Sequence, residues 1–356
     1  MSFKENEIEC NKVLILGEGI KNIENIEIKD IYYYKNTNGI KYESTRWNEV
    51  KNKINENDID TIIASKKDIN IVSRLLWECN CLKQYCLTDT ENPLLSETMN
   101  NRANELMWDS IAKRSVGESN SIKQTGWISS FTGEYFSEKE MAEYADNTYK
   151  KLEKYCKKDT TVLEIGVASG ITCFAIAPLV KKYVGIDISK ETIKCTQNQL
   201  EEKKLKNVSL LYGEAEKLEK LNLKEKFDVV IINSVIQYFP GYNYFINVIK
   251  KVIMNMSDRG VIFVGDVMDL SKKELLQAEL AKCGRKNNKK DLYYSKEFMK
   301  EIPAYIKSIE DVLINKKEGN VENELTLYRY DVLFMINKKN KNIVKPSKMV
   351  YAIGVR

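Results

Sequence analysis

Val162-Leu-Glu164-Ile-Gly166-Val-Ala168-Ser-Gly170 is a short apolar β-type run that breaks into a glycine-containing loop, and a helical run over 172–180 follows at once. Glycine takes positive φ and lets the backbone approach a ligand closely, so such a loop at a strand's C-terminal end can cradle a nucleoside. The next run ends Val184-Gly185-Ile186-Asp187, where a carboxylate can accept hydrogen bonds from both hydroxyls of a ribose. Tyr212-Gly213-Glu214-Ala215-Glu216 closes the third run, with a carboxylate for an adenine amino group and a backbone N–H for a ring nitrogen. The fourth run, Phe227-Asp-Val-Val-Ile-Ile-Asn233-Ser-Val-Ile-Gln237-Tyr-Phe-Pro240, leads into a polar and aromatic turn. Each alone has a plain structural meaning: Asp187 as a helix cap, Glu214 in a solvated turn, Gln237 and Tyr238 as surface packing. Their ordered recurrence favours a ligand site along the carboxyl edge of an open α/β sheet.

Outward from this stretch, apolar β-type runs at 161–165, 183–186, 208–212, 227–232 and 261–265 alternate with helical segments. That is the pattern of a parallel sheet covered on both faces. A charged, helix-like insertion over 271–309 follows, then two further strands, 325–336 and 349–355. Upstream, 94–156 reads as mainly helical and is interrupted by a loop over 125–133. Ser137 with Glu140 makes a capping box, and Met141, Ala145, Thr148, Leu152 and Tyr155 share one helical face. Residues 1–93 read as a separate small α/β domain, with strands at 12–17, 31–34, 59–64 and 82–87. Its Gly17-x-Gly19 lacks the third glycine of a dinucleotide fingerprint, Asn22 standing there, so it reads as a strand-to-loop turn without a cofactor. The expected division is therefore 1–93, a helical lid or linker at 94–156, and the main domain at 157–356.

With 356 residues, 43% of them hydrophobic, the chain can bury two cores of ordinary size. Its 56 basic against 51 acidic residues are interspersed, so no nucleic-acid partner is expected. No apolar run approaches the roughly 18 residues of a membrane span, and the polar start lacks a signal-peptide core. The expected location is cytoplasmic, away from membranes. The absence of histidine excludes Ser-His-Asp and Cys-His hydrolysis and His-ligated metals. Cys79, Cys81 and Cys86 lack a second ligand pair and read as reduced thiols, so no metal is expected.

Glu164-x-Gly166-x-Ala168-x-Gly170, with Asp187 and Glu214 at the following strand ends, resembles the class I S-adenosylmethionine-dependent methyltransferases, with Ala168 in place of their middle loop glycine. The resemblance implies a Rossmann-like α/β sheet of seven strands in order 3-2-1-4-5-7-6, the last antiparallel, with 325–336 and 349–355 as its ending. It implies that Gly166 and Gly170 pass the methionine part of S-adenosylmethionine, Asp187 holds the ribose, and Glu214 with Ala215 holds the adenine. Glu164, Ala168, Ile188, Asn233 and Ser234 complete the implied cofactor set. Over about 120–335 the chain is more closely similar to the methyltransferase domains of nonribosomal peptide synthetases. Gly126-Trp-Ile-Ser-Ser-Phe-Thr-Gly-Glu134, Asn233-Ser-Val-Ile-Gln-Tyr-Phe-Pro240 and Asn323-Glu-Leu-Thr-Leu-Tyr-Arg-Tyr-Asp-Val332 carry that likeness. Those domains usually show tyrosine where Phe131 stands and arginine where Leu327 stands. They act on aminoacyl or peptidyl groups tethered to a carrier protein, commonly on nitrogen.

Methyl transfer from a sulfonium is an in-line displacement, so positioning supplies most of the acceleration. Without histidine, the candidates for accepting or orienting the acceptor's proton are Gln237, Tyr238, Asp266 and Glu324, with capping the alternative for Asp266. The leading expectation is methylation, on nitrogen, of an amino acid or peptide-like metabolite, free or carrier-bound, in natural-product biosynthesis. An O- or C-methyltransferase of a free small molecule remains open, as does a non-catalytic cofactor-binding subunit using 1–93 as its interaction module. Residues 127–134 are expected to form a lid hinged at Gly126 and Gly133. Lys282, Arg285, Lys286, Lys289 and Lys290 in the insertion are either a docking patch for an acidic carrier or a solvated loop. The oligomeric state and the role of 1–93 are not legible.

Overall fold

A computed structural model describes residues 8–17, 26–35, 37, 40, 44–88, 102–114, 126–285, 291–319, 321–342, 344 and 347–352. They fall into two compact units. One gathers the described residues within Met1–Thr98, Pro240–Tyr244 and Lys345–Arg356, and the other those within Met99–Phe239 and Phe245–Val344.

The first unit is built on a five-stranded parallel sheet. Strands β1 (Ile8–Leu16), β2 (Ile26–Tyr34), β3 (Thr61–Ala64) and β4 (Gln84–Leu87) are joined by β12 (Met349–Ala352) in the order β12-β4-β3-β1-β2. Val13, Ile15, Ile63 and Cys86 fill the space on one face. Helices α1 (Thr45–Glu56) and α2 (Ile69–Glu78) intervene, and Ser44 starts the first by accepting a hydrogen bond from the Trp47 N–H. Trp47, Val50 and Ile54 then form its buried stripe, at the spacing of one helical face. Cys79, Cys81 and Cys86 are free thiols; burial pushes Cys79 up to about 12, so it stays protonated and inert at neutral pH. Gly17 turns at φ 109°, whereas Gly19, Asn22 and residues 89–98 lie outside the described residues.

The second unit holds the seven-stranded sheet. Its strands are β5 (Thr161–Ile165), β6 (Lys182–Asp187), β7 (Val208–Tyr212), β8 (Phe227–Asn233), β9 (Met256–Met268), β10 (Ile309–Lys316) and β11 (Arg329–Asn337). They lie in the order β10-β11-β9-β8-β5-β6-β7, with only β11 antiparallel to its neighbours. Counted along this sheet, that is 3-2-1-4-5-7-6. Val162, Tyr183, Val229, Ile231, Phe263 and Leu333 belong to one continuous core on one face, which is why the central strands are nearly unbroken apolar runs. Helices α3 (Arg102–Arg114) and α4 (Glu138–Leu152) precede the sheet. The Ser137–Glu140 capping box is formed: the Ser137 Oγ accepts from the Glu140 N–H, and the Glu140 carboxylate accepts from the Ser137 N–H at 2.8 Å. Helices α5 (Ile171–Ile176), α6 (Lys190–Glu202) and α7 (Tyr242–Asn255) link the parallel strands. After β9 come α8 (Lys273–Lys282) and α9 (Lys296–Tyr305).

Three expectations are corrected here. The strand expected at 349–355 does not end this sheet; its described part is β12, which pairs with β4 in the other unit, so the methyltransferase-type sheet ends before residue 345. The sheet's sixth strand is instead β10, which begins where the insertion had read as ending, in a stretch to which no strand was assigned. Of its eight residues only Ile309 is buried, because β10 is an edge strand, and edge strands need little apolar patterning. The run at 325–336 splits in two. The Asn323 side chain accepts from the Leu325 and Thr326 N–H groups and starts a one-turn helix, α10 (Glu324–Leu327), so extended structure begins only at Arg329.

Candidate active site

The glycine loop follows β5 at the sheet's carboxyl edge, between the exits of β6 and β8. Gly166 and Gly170 both sit at φ 78° and Ala168 at φ 46°, so the loop is left-handed at three positions. A Cβ on Gly166 would run into the Val235 side chain beyond β8, and one on Gly170 would come within 2.6 Å of the Phe174 ring. Glycine is thus demanded both by φ and by close approach. Alanine at 168 tolerates its conformation because its Cβ is small, and its N–H donates to Asp187 Oδ2 at 3.0 Å.

Asp187 ends β6 almost wholly buried. Its second oxygen accepts from the Ser189 N–H at 2.9 Å, so backbone N–H groups hold both carboxylate oxygens, with Ile188 a further donor, and acceptor capacity remains for a ligand. Burial pushes its carboxyl up to about 6, against the lowering pull of those N–H donors. Ile188 is half-buried between them. Glu164 faces inward: it is 2% exposed and accepts from the Tyr183 hydroxyl at 2.7 Å. Burial pushes it up to about 8, so it is mostly protonated near neutrality and ties β5 to β6. Beyond β7, Glu214 pairs with Lys217 and Ala215 opens a 3-10 turn.

At the exit of β8, Asn233 is buried and donates to Thr148 Oγ1 at 3.1 Å, bracing α4, while its Oδ1 has no hydrogen-bond partner. Ser234, at φ 57°, contacts Tyr144 hydroxyl at 2.9 Å and donates to Asp266 Oδ2. Gln237 is 3% exposed with Oε1 unpartnered, and its carbonyl accepts from the Leu292 N–H at 2.8 Å. Burial, then the charge of Asp291, pushes the Tyr238 hydroxyl up to about 12. It can donate a hydrogen bond but cannot serve as a base at neutral pH.

Asp266 and Glu324 are both committed to other charges. Asp266 is fully buried at φ 63° and bonded by Arg329, with Lys317 Nζ 3.4 Å away. Its Oδ2 accepts from Ser234 and Arg329, and the turn that follows is capped by Asp269 instead, so Asp266 does not serve as that cap; its N–H donates to Asp331 Oδ1 at 2.8 Å. Burial alone would raise Asp331, but Lys317 at 3.2 Å and Lys151 at 2.5 Å outweigh it and hold the carboxyl below its ordinary range. Glu324 lies 3.6 Å from Arg329 Nη2 and accepts from the Ser130 N–H at 2.7 Å and Ser130 Oγ at 3.2 Å. Burial works against the Arg329 charge, yet Asp266 and Glu324 hold its pKa above the ordinary value.

The loop over 126–137 is therefore latched in place. Besides Glu324 on Ser130, Phe131 stacks on Tyr328 at 6.1 Å, and Trp127 packs against Tyr144 at 4.9 Å. Arg285, itself exposed, donates to the Thr132 carbonyl, so this cation of the insertion also holds the loop. Lys282 is paired with Glu279 at 2.6 Å, while Lys286, Lys289 and Lys290 lie outside the described residues. Arg329, Lys317, Tyr144 and Ser130 were not foreseen as site residues. The one available signal was a conspicuous run, Tyr328-Arg329-Tyr330-Asp331, at a strand start.

These residues fit S-adenosylmethionine. The left-handed loop leaves backbone room, the Asp187 carboxylate has spare lone pairs, and the unpartnered buried oxygens of Asn233 and Gln237 call for donors from a ligand. Asp187 would hold the ribose and the 166–170 loop the amino-acid end. Among the described residues no helix is long and apolar enough to cross a membrane.

Residues 156–329 match the family model described as a methyltransferase domain. The chain is 29% identical over 251 residues to chondramide synthase cmdD of Chondromyces crocatus, covering 64% of this chain and 6% of that protein. It is 27% identical over 239 residues to nonribosomal peptide synthetase penN of Penicillium thymicola, covering 62% and 8%. The chain thus spans less than a tenth of the length of either relative. An S-adenosylmethionine-dependent methyltransferase from Clostridium acetobutylicum ATCC 824 superposes with a TM-score of 0.42 at 14% identity, covering 55% of this chain and 92% of that one. With the seven-stranded order and the loop geometry of this edge, residues 156–329 belong to the methyltransferase-domain family, as a class I, S-adenosylmethionine-dependent domain related to those of nonribosomal peptide synthetases.

Proposed function

We propose that the protein methylates the nitrogen of an amino acid or peptide-like metabolite presented on a carrier protein. One observation carries the choice of nitrogen: among the described residues, the acceptor side offers no free base. Tyr238 is pushed up to about 12, Asp266 is bound by Arg329 and Lys317, Glu324 is spent on Ser130 and Arg329, and the chain has no histidine. When bound, S-adenosylmethionine supplies an electrophilic methyl on a sulfonium. A hydroxyl or carbon acid would need deprotonation to attack it, whereas an amine already carries its lone pair. Alpha-amino groups titrate near pH 7.7–8.0, so a useful fraction is neutral under physiological conditions.

The residues then work by orientation. The unpartnered Gln237 Oε1 can accept an N–H of the incoming amine and turn its lone pair toward the donor, and the protonated Tyr238 hydroxyl can donate to a carbonyl beside it. The latched 126–137 loop excludes water. Kinship with peptide synthetases supports the aminoacyl acceptor and its carrier. The test is to incubate the protein with methyl-labelled cofactor and matched free and carrier-bound aminoacyl acceptors, then locate the label by tandem mass spectrometry. Label on the nitrogen of the carrier-bound substrate supports the proposal. Label on oxygen or carbon, or efficient turnover of free acceptors alone, overturns it.

A further inference from the structure

Helix α3 falls within the stretch expected as a helical lid or linker, with no residue singled out there, and two of its adjacent residues reach the turns after β6 and β8. Asp109 Oδ1 accepts from Ser189 Oγ at 2.6 Å and from the Glu191 N–H at 3.4 Å. Those residues form the turn after β6 whose backbone also holds Asp187. Trp108, half-buried, sets its ring edge-on against Tyr238 in the turn after β8, with centroids 5.2 Å apart and planes at 80°. Successive helical residues point about 100° apart, so one turn of helix can serve both loops.

The strand order places β5 between β6 and β8. Exits two strands apart are about 10 Å from each other. An element that touches both therefore passes over the exit of β5, where the 166–170 loop stands. We infer that α3 is the roof of the cofactor site: Asp109 is a positioning residue for the ribose-side turn, and Trp108 forms a wall of the acceptor pocket. The placement gives donor and acceptor sides separate residues of one helix, Asp109 on the first and Trp108 on the second. Lys113 and Glu191, 3.9 Å apart and partly exposed, add little to the contact. The Asp109 carboxylate adds negative potential beside Asp187, which suits a cofactor whose sulfonium and ammonium outnumber its one carboxylate.

This inference rests on the methyl-transfer reading of the edge, and its test separates the two. In the 356-residue chain, Asp109→Ala, Trp108→Ala, Trp108→Phe and Asp187→Ala are compared for S-adenosylhomocysteine affinity by calorimetry and for acceptor KM and kcat. Alanine suits a helix, so the Asp109 variant should fold. Asp109→Ala is expected to weaken S-adenosylhomocysteine about tenfold, because the turn that holds Asp187 loses the acceptor for Ser189 Oγ and the Glu191 N–H, while leaving acceptor KM unchanged. Trp108→Ala should keep that affinity within about twofold and raise acceptor KM about tenfold, with Trp108→Phe restoring it. Parallel loss of both ligands in both variants, or wild-type behaviour in both while Asp187→Ala loses the cofactor, overturns the roof. Undiminished binding by Asp187→Ala overturns instead the reading of the edge itself.

Discussion

Cofactor affinity should fall steeply as pH drops below 7, through one group. Burial pushes Asp187 up to about 6, and its charged form is the one that can accept from both ribose hydroxyls. Simple titration then leaves the carboxylate about nine-tenths ionised at pH 7, half ionised at pH 6 and about one-tenth ionised at pH 5. The dissociation constant of S-adenosylhomocysteine should therefore rise about tenfold from pH 7 to pH 5, equivalent to about 1.4 kcal/mol. A carboxyl at the ordinary value near 3.9 would stay mostly ionised at pH 5, and affinity would barely move. Glu164 does not imitate the effect, because with its pKa at about 8 it stays mostly protonated across this window. Asp187→Asn removes the titration while keeping the shape. Its affinity should be about 5–30-fold weaker at pH 7, as when a charged hydrogen bond becomes a neutral one, and flat down to pH 5. Isothermal calorimetry at pH 5, 6 and 7 on both proteins is the assay. A flat wild-type profile, or a slope that survives in Asp187→Asn, would refute the assignment of Asp187 as the ribose ligand.

Asp331→Asn should cost about 3–5 kcal/mol in urea unfolding, because it leaves Lys151 buried without its counter-charge and Lys317 with Asp266 alone. An unchanged midpoint would mean that water reaches those ammonium groups. Glu324→Ala should speed amide exchange across 126–137 by about 5–30-fold, since Ser130 loses both its N–H and Oγ partners on a charged acceptor. Unaltered exchange would show that Phe131, Trp127 and Arg285 hold the loop without it.

The sheet's first five strands and the four loops at their carboxyl ends were legible because their signals are local. A glycine that must sit at φ 78°, an acid at the last residue of a strand, or a serine three residues before a glutamate each acts over a few residues. Each therefore leaves its mark in consecutive letters. The first unit's helices and strands were legible for the same reason: Trp47, Val50 and Ile54 fall on one face without help from elsewhere. The edge strand β10 was missed because a strand with one covered face and charged neighbours carries little pattern.

The sequence by itself therefore determined the fold class, the order of the loops at the sheet's carboxyl edge and the turns at Gly166 and Gly170. The tertiary structure alone decided which sheet receives the last strand, since 349–352 would satisfy an edge of either and only the pairing with β4 chooses. It also decided which of the candidate bases are free. Asp266 is bound across 63 residues by Arg329, Glu324 is spent across 194 residues on Ser130, and Asp109 reaches Ser189 across 80. Such contacts depend on charge and shape meeting in space, and a charged residue has no periodicity that names its partner. The chemistry open to each carboxylate is set by its neighbours, and those neighbours are chosen by the packing of the chain.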